Sequence, residues 1–304
     1  MTDNSVNTTE ASPGKTLTAL TWNIEGLKSG IFALKDTLEQ LLPSLVFLSE
    51  SKVFKSDIDA ILEYVRGDYC FYLNSDDLHN HELQLIKNSS FGGTLYMWRK
   101  WLDPFVTIHP VTSPSFTPIV MKIPNYQTSV HIGIYLPTHG KDTEFVSDLA
   151  DLKICIEELV GMYPDAALFI RGDGNVNPKN KNRLALLEHL LDDCSLNKVQ
   201  IHHKTYHHFV GDGAFDSNVD ILLHSSKLPE PERVTKIMCK FDYPHLLSHH
   251  DIIISEFTLP ARKTNPRKQD LVLAPRITHK REKVEWSEEG AREFEKLVSP
   301  HLKK

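Results

Sequence analysis

The chain has 304 residues, of which 40% are hydrophobic and 24% charged, and its formal net charge is −6. This composition provides enough apolar material for a large core. No apolar run is long enough to cross a bilayer, and the polar first 16 residues lack the apolar stretch of a secretory signal. These features exclude membrane-spanning and secreted classes, and we expect an intracellular protein with no membrane partner.

Charge is unevenly distributed along the chain. Of the 34 Lys and Arg residues, 12 lie at or after position 261, whereas only 7 of the 40 Asp and Glu residues do. A tight nonspecific DNA binder needs a basic surface, so the acidic body argues against that class. Carboxylates gathered around a divalent cation account for some of this acidity, and a solvated surface for the rest.

Cysteines and clustered histidines both raise the question of a zinc site. The four cysteines contain no C-x-x-C pair, and we interpret them as reduced core thiols: Cys70, Cys155, Cys194 and Cys239. The spacing of the histidines between 202 and 208 fits no standard metal site and predicts a solvated loop.

The first half of the chain alternates between apolar strands and amphipathic helices. Apolar residues at helical spacing, followed by Pro43, predict a helix over 31–42. Ser56 and Asp57 predict the N-cap of a second helix. Strands are predicted, in chain order, within 17–27, 45–48, 66–88, 91–98, 102–123 and up to residue 135.

The second half repeats this pattern and then becomes β-rich. Helices are predicted over 147–160, with Ser147 as its cap, and over 182–192. Strands are predicted over 167–170, 219–223 and 252–257. The sequence thus predicts a disordered tail over 1–16, a domain over 17–260, and a basic linker with a short helix over 261–304.

Polar side chains occur at one end of six predicted strands. They are Asn23 and Glu25, Glu50, Tyr135, Asp173 and Asn175, Asp220, and His250. Each is ordinary alone, as a β-turn, a solvated cap or a structural histidine. Together they suit phosphate hydrolysis, because oxygen ligands hold Mg²⁺, a carboxylate orients water, and a histidine faces the phosphate.

Seven motifs follow one order within residues 17–258: TWNIEG, LSE, FGGT, GIYLPTHG, IRGDGNVN, SNVDILL and SHHDI. They resemble the endonuclease/exonuclease/phosphatase superfamily. The resemblance implies an α/β fold: a four-layer α/β sandwich with two packed mixed β-sheets, flanking helices and one Mg²⁺-dependent site. YLPTHGKDTEF, HHFVGDGAFDSNVDILLHS and the tail KREKVEWSEEGAREFEKLVSPHL are similar to apurinic-type endonuclease domains of non-LTR (LINE-type) retrotransposons. With no polymerase after the tail, we expect a domesticated endonuclease unit or the front of a truncated element.

The resemblance also assigns a role to each polar residue. Glu50 matches the principal metal ligand, with Asn23 and Glu25 beside it. The other matches are catalytic. Asp173 and Asn175 match the pair that orients water and contacts the phosphate, and Tyr135 matches a tyrosine that touches the phosphate or the leaving group. Asp220 matches the carboxylate that holds the catalytic histidine, and His250 matches that histidine. The implied cofactor is Mg²⁺, with Mn²⁺ as the alternative.

Three positions depart from the family pattern. His249 replaces the Asp of the usual S-D-H triplet, which implies either a weakened metal site or His249 as a ligand for a softer ion such as Mn²⁺. Thr138 replaces an Asn, and Gly174 replaces an apolar residue, which predicts a loosely packed loop.

The resulting functional hypothesis is a divalent-metal-dependent DNA endonuclease that leaves a 3′-hydroxyl. One alternative is a phosphomonoesterase or phosphodiesterase of the same fold acting on lipid, inositol phosphate or RNA. Another is a decayed nuclease that acts as a binding module. Lys263, Arg267 and Lys268 are candidates for contacting DNA phosphates, with a solvated linker as the alternative. We expect a monomer, and a nuclear location follows from the DNA substrate and the basic tail.

Overall fold

Two six-stranded β-sheets form the centre of the computed structural model. The structure describes residues 15–65, 67–75, 92–210, 213–226, 233–240 and 242–262. The strands of one sheet are β1 (Lys15–Asn23), β2 (Leu45–Ser49), β3 (Tyr69–Asn74), β4 (Thr94–Arg99), β13 (Arg233–Met238) and β14 (Ile252–Leu259). Those of the other are β5 (Val106–Ile108), β6 (Phe116–Met121), β7 (Ser129–Tyr135), β8 (Ala167–Asp173), β9 (Leu196–Lys198) and β12 (Asp220–Ser225). A separate hairpin consists of β10 (Tyr206–Val210) and β11 (Gly213–Ser217).

Helices connect the strands and cover the sheets. They are α1 (Leu27–Leu41), α2 (Ile58–Leu62), α3 (Asp142–Met162) and α4 (Lys181–Asp193), with a 3-10 helix over Lys100–Phe105. No helix in the described part of the chain is long and apolar enough to span a membrane.

Both sheets are mixed, and each has one parallel pair near its centre. The strand orders are β13-β14-β1-β2-β4-β3 and β5-β6-β7-β8-β12-β9. The pairs β1–β2 and β7–β8 are parallel, whereas the other pairs are antiparallel. Each parallel pair is joined through a helix, α1 or α3, as a parallel crossover requires.

Alternating side chains of the central strands pack into two different layers. In β2, Val46 and Leu48 pack with the apolar face of α1, whereas Leu45 and Phe47 point between the sheets. β8 divides its side chains in the same way between the side of α3 and the inter-sheet core. Strands buried on both faces need continuous apolar runs, which explains the sequences LVFL and ALFI. The predicted four-layer α/β sandwich is confirmed.

Two glycines allow the sheets to approach closely. A Cβ atom at Gly133 would lie 2.0 Å from the Phe47 ring. Gly172 has φ +137, and a Cβ there would lie 2.1 Å from the Ile134 carbonyl oxygen. Larger residues are excluded at both positions, so the ring of Phe47 from one sheet can pack against the backbone of the other.

Several predicted element boundaries are wrong. α3 begins at Asp142, so Ser147 lies inside the helix and is not its cap. The N-cap position of α2 is Asp57, as predicted, although its carboxylate forms an ion pair with Lys28 at 2.8 Å and makes no capping hydrogen bond. β1 begins at Lys15, inside the predicted tail, and β13 lies in a segment for which no strand was predicted. Most of the predicted tail and nearly all of the basic linker, including the helix predicted within it, lie outside the described residues.

Candidate active site

The topology brings the predicted strand ends to one edge of the sandwich. β1 and β2 run parallel and end at this edge, and β14, antiparallel to β1, begins there. In the other sheet β7 and β8 end at the same edge, and β12 begins there. We call this edge the rim. It brings together the predicted residues Asn23, Glu25, Glu50, Tyr135, Asp173, Asn175, Asp220, His249 and His250.

Asp173 lies at the centre of the rim and is 2% exposed. Its Oδ2 atom accepts a hydrogen bond from Asn23 Nδ2 at 3.0 Å, which joins the two sheets. Its Oδ1 atom accepts the backbone N–H of Asn175 at 2.9 Å, so the turn after β8 fixes the carboxylate. The Asn23 amide also donates to Glu50 Oε1 at 3.0 Å. One amide therefore connects the predicted metal ligand with the predicted water-orienting carboxylate.

His250 is positioned by contacts on both its ring and its backbone. Its Nδ1 lies 3.2 Å from Asp220 Oδ2, and its Nε2 lies 3.8 Å from Asp173 Oδ2. Its backbone N–H donates to Ser248 Oγ at 2.9 Å, and its carbonyl accepts from Trp22 Nε1 at 3.2 Å. The imidazole is thus held in one orientation between two carboxylates.

The two buried groups have strongly shifted pKa values. Burial raises the pKa of Asp173 to about 7; the charge of His250 opposes this shift and that of Asp220 adds to it. Burial alone would lower the pKa of His250. The charge and hydrogen bond of Asp220, together with Asp173, outweigh burial and raise that pKa to about 9. Near neutral pH the site therefore combines a protonated imidazole with a carboxyl group poised to gain or lose a proton.

Glu50 carries a cation contact that the sequence analysis missed. Lys52 Nζ lies 2.6 Å from Glu50 Oε2. Burial raises the pKa of Glu50, but hydrogen bonds from Lys52, Asn23 and Tyr135 and the Lys52 charge outweigh it, so the pKa is lowered. The sequence signal was the position of Lys52, two residues after the predicted ligand.

Tyr135 reaches Glu50 because of a glycine in the FGGT motif. Gly92 has φ +64, and a Cβ atom there would lie 3.1 Å from Tyr135 Cε1. The Gly92 carbonyl also accepts the Lys52 backbone N–H at 2.9 Å. Glycine therefore lets the tyrosine ring pack on the backbone that fixes the Glu50–Lys52 segment.

His249 contacts Glu25. Its Nδ1 lies 2.9 Å from Glu25 Oε2, and its backbone N–H donates to the same oxygen at 3.0 Å. Asn23 Oδ1 meanwhile accepts the Glu25 backbone N–H at 3.1 Å. All four predicted metal-binding side chains, Glu50, Asn23, Glu25 and His249, thus have partners within the protein in this arrangement.

The loop that carries Asn175 is tightly packed, so the predicted loose packing at Gly174 is wrong. The Gly174 N–H donates to the Val219 carbonyl at 2.9 Å, and a Cβ at this position would lie 3.1 Å from the Ile221 side chain. Asn175 Nδ2 donates to the Leu136 carbonyl at 2.7 Å. Its amide nitrogen thereby links the loop after β8 to the loop after β7.

Arg183 of α4 holds the loops after β7 and β8 together. It is 2% exposed, and its guanidinium donates to the carbonyls of Pro137, Thr138 and Asn175 at 2.6, 2.8 and 3.2 Å. Its Nη2 also lies 2.7 Å from Asp142. The signal that the sequence analysis missed is its spacing with Leu187 and Leu190, which places Arg183 on the inward face of α4.

The β10–β11 hairpin adds aromatic side chains beside the rim. The Tyr206 ring lies edge-on to His250, with centroids 4.8 Å apart. Burial raises the pKa of Tyr206, and the charges of Glu25, Asp173 and Glu50 add to the shift. Phe215 is 41% exposed, and Lys179 Nζ lies 5.8 Å from its ring centroid. No periodic pattern in the sequence indicated that the aromatic side chains of this hairpin lie beside the rim.

The rim fits a hard divalent cation in its donor chemistry. Glu50 and Glu25 offer carboxylate oxygens, and Mg²⁺ needs only one or two carboxylates besides water and substrate phosphate. Among the described residues, the rim carboxylates do not form a trio whose ligand atoms all lie within 4.8 Å of one another. The Lys52 ammonium lies 2.6 Å from Glu50 Oε2, so an ion bound at that oxygen would take the place of the ammonium.

Solved structures with the same architecture cover most of the chain, although no family model and no curated protein gives a significant match. The AP endonuclease LMAP from Leishmania major is 13% identical with a TM-score of 0.64, over 81% of this chain and 89% of its own. The endonuclease domain of TRAS1, a telomere-specific non-LTR retrotransposon, is 12% identical with a TM-score of 0.57, over 82% and 99%. The 3′-5′ exonuclease NExo from Neisseria meningitidis is 15% identical with a TM-score of 0.59, over 79% and 99%.

The fold is therefore that of the endonuclease/exonuclease/phosphatase superfamily, as the sequence motifs predict. It is a fold that nucleases use. The roles assigned to the rim residues stay predictions. Lys263, Arg267 and Lys268 lie outside the described residues, so their predicted contact with DNA also stays a prediction.

Proposed function

We propose that the chain is a divalent-metal-dependent endonuclease that hydrolyses DNA phosphodiester bonds and leaves a 3′-hydroxyl. The observation that carries the proposal is the position of Asp173. Its carboxylate is hydrogen-bonded to Asn23 and lies 3.8 Å from the His250 ring nitrogen Nε2. Asp173 belongs to one sheet, whereas Glu50 follows a strand of the other sheet. A buried carboxyl, an imidazole held by a second carboxylate, and a carboxylate for a metal are the groups that phosphodiester hydrolysis needs.

Each residue has a defined task in this reaction. Asp173, whose pKa is about 7, orients a water molecule and accepts its proton as the oxygen attacks phosphorus. Protonated His250 donates Nε2–H to a nonbridging phosphate oxygen and stabilises its developing charge. The Tyr135 hydroxyl contacts the departing oxygen. The P–O3′ bond breaks, the 3′-oxygen takes up a proton from solvent, Asp173 returns the proton of the attacking water to solvent, and the products are a 3′-hydroxyl and a 5′-phosphate.

Glu50, with Glu25 nearby, would hold the cation. A bound Mg²⁺ or Mn²⁺ offsets negative charge on the scissile phosphate. Lys52, which contacts Glu50 in this structure, is the side chain that has to yield its place.

DNA is the substrate that the comparisons favour. NExo is described bound to a product DNA hairpin, and the TDP2 of D. rerio, 16% identical with a TM-score of 0.54, is complexed with a single-strand DNA product. The TRAS1 neighbour and the retrotransposon-like phrases support a retrotransposon origin. We further propose a nuclear monomer whose basic arm, with Lys263, Arg267 and Lys268, binds phosphate.

A supercoiled-plasmid nicking assay with Mg²⁺ or Mn²⁺ tests the proposal. We expect nicking that a chelator stops, and ends that a DNA polymerase extends without prior phosphatase treatment. Extension of the nicks only after phosphatase treatment would contradict the predicted chemistry. Release of phosphate from inositol phosphates or lipids with intact DNA would support the alternative esterase. Binding of DNA without cleavage in any metal would support the decayed nuclease.

Deleting residues 261–304 separates the arm from the site. We expect weaker DNA binding with a shallower salt dependence, because fewer phosphate charges are neutralised. Unchanged affinity and salt slope would show that the arm does not contact DNA.

A further inference from the structure

Three potential metal ligands converge behind the rim. His207 lies in β10, Cys239 directly follows β13, and Asp251 directly precedes β14. One ligand atom from each side chain lies within 4.8 Å of the other two. His207 is 7% exposed and Asp251 is 2% exposed, so for His207 the predicted solvated loop is wrong.

The contacts of His207 orient its ring for metal binding. Its Nδ1 lies 2.9 Å from Asp216 Oδ1, and its Nε2 lies 3.1 Å from Asp251 Oδ2. A histidine that binds a metal through one ring nitrogen usually donates the other N–H to a carboxylate. Asp216 holds this position, and Nε2 faces the second carboxylate.

Asp251 is fixed in a similar way. Its Oδ1 accepts the Lys240 backbone N–H at 3.0 Å, which directs Oδ2 towards His207. An imidazole lone pair and a carboxylate oxygen repel each other at 3.1 Å unless a cation lies between or beside them. A proton can join only His207 and Asp251, whereas a metal ion can join all three side chains, because their ligand atoms all lie within 4.8 Å of one another.

We propose that His207, Cys239 and Asp251 form a Zn²⁺ site with a water molecule in the fourth position. Nitrogen, sulfur and oxygen donors suit zinc, and a thiolate disfavours Mg²⁺. Tetrahedral zinc needs ligand atoms about 3.3 to 3.7 Å apart, so atoms that now lie within 4.8 Å of one another have to close by about 1.5 Å at most. Binding releases the Cys239 thiol proton, and the proton shared by His207 and Asp251, to solvent.

The position of this site gives it a structural role. The backbone N–H of His207 donates to the His249 carbonyl at 2.8 Å, and the backbone N–H of Asp251 donates to the Thr205 carbonyl at 2.7 Å. Tyr206 pairs with His250 in an isolated antiparallel bridge. A zinc ion on both segments therefore fixes the β10–β11 hairpin against the backbone that carries His250.

Cobalt titration of the chelator-treated full chain tests the proposal. Co²⁺ adopts the same tetrahedral geometry, and a thiolate ligand gives it an intense near-ultraviolet charge-transfer band. We expect a saturable band at a single equivalent, which Zn²⁺ removes by displacement. Cys239→Ser abolishes the band, whereas the control Cys194→Ser keeps it. Co²⁺ on the carboxylates of the rim gives no such band, so the two sites are distinguishable.

A second variant avoids the ligands themselves. Asp216 has a side chain that is 47% exposed, and Asp216→Asn should weaken Zn²⁺ binding about 10- to 100-fold by loosening the hold on His207. Circular dichroism confirms that each variant is folded. The proposal is overturned if the wild type shows no thiolate band, if the band persists in Cys239→Ser, or if folded Asp216→Asn binds Zn²⁺ with unchanged affinity.

Discussion

The Nε2 atom of His250 lies 3.8 Å from the Oδ2 atom of Asp173, and both side chains are almost completely buried. This separation is too long for a hydrogen bond, so each group can contact a water molecule or a phosphate oxygen. The separate hydrogen bonds of His250 to Asp220 and of Asp173 to Asn23 keep the two groups apart.

We predict that Asp220→Asn moves the alkaline limb of the pH–rate profile to lower pH. In the wild type, His250 stays protonated until its pKa of about 9 and loses its proton as the pH rises further. Without the Asp220 charge, burial lowers the pKa of His250 and the active form disappears earlier. Single-turnover nicking rates across the neutral and alkaline range give the pH at which activity is lost. The same pH in the wild type and in Asp220→Asn would contradict the role of Asp220.

We predict that Arg183→Gln lowers the free energy of unfolding by about 3 to 5 kcal/mol, because it leaves the carbonyls of Pro137, Thr138 and Asn175 without the donor that holds the loops after β7 and β8. The control is Asp142→Asn, which removes the ionic partner of Arg183. Since the Asp142 side chain is 68% exposed, its loss should cost less than about 1 kcal/mol. Urea denaturation compares the two; equal costs would contradict the importance of the carbonyl contacts.

We predict that stability falls as the pH drops below 6.5, and falls less steeply in His131→Gln. Burial, followed by the Arg171 charge, holds the pKa of His131 well below its usual 6.5. Below that pH the unfolded chain binds a proton that the folded chain does not, and stability falls by up to about 1.4 kcal/mol per pH unit. The free energy of unfolding is measured by denaturation at several pH values for the wild type and for His131→Gln. The difference between these two series isolates the contribution of His131, and His203→Gln serves as an exposed control. Parallel series would contradict this account.

We predict that His249→Asp strengthens binding of the catalytic metal about tenfold. The change replaces the imidazole that occupies Glu25 with a carboxylate, so both acidic groups are available to a cation. The Mg²⁺ concentration for half-maximal nicking measures the effect. An unchanged or higher requirement would mean that His249 itself supports metal binding.

The position of the site could be predicted from the sequence because polar residues follow apolar strands directly. Asp173 after ALFIRG and Glu50 after LVFLS identify strand ends, and parallel pairing then brings such ends together. The four-layer architecture was implied by the resemblance of the seven motifs to the superfamily, and strands that are apolar on both faces are consistent with it. Boundaries were less predictable: α3 begins five residues before Ser147 because polar residues can also form an exposed helical turn.

The contacts that organise the rim could not be predicted, because they join residues distant in sequence. Arg183 contacts carbonyls some 45 residues away, and no pattern in the sequence encodes a carbonyl position. The pairing of His249 with Glu25 spans 224 positions and required the register of β14 on β1. Burial of His207 likewise depends on the β10–β11 hairpin lying against the segment before β14.

The single-turnover nicking rate of Asp173→Asn is the most direct test of the proposed function. We predict a rate about 10²- to 10⁴-fold below that of the wild type, with DNA binding retained, because the amide cannot accept the proton of the attacking water. The control Asp192→Asn removes an exposed carboxylate from α4 and should cleave at the wild-type rate. Undiminished nicking by a folded Asp173→Asn protein would contradict the account.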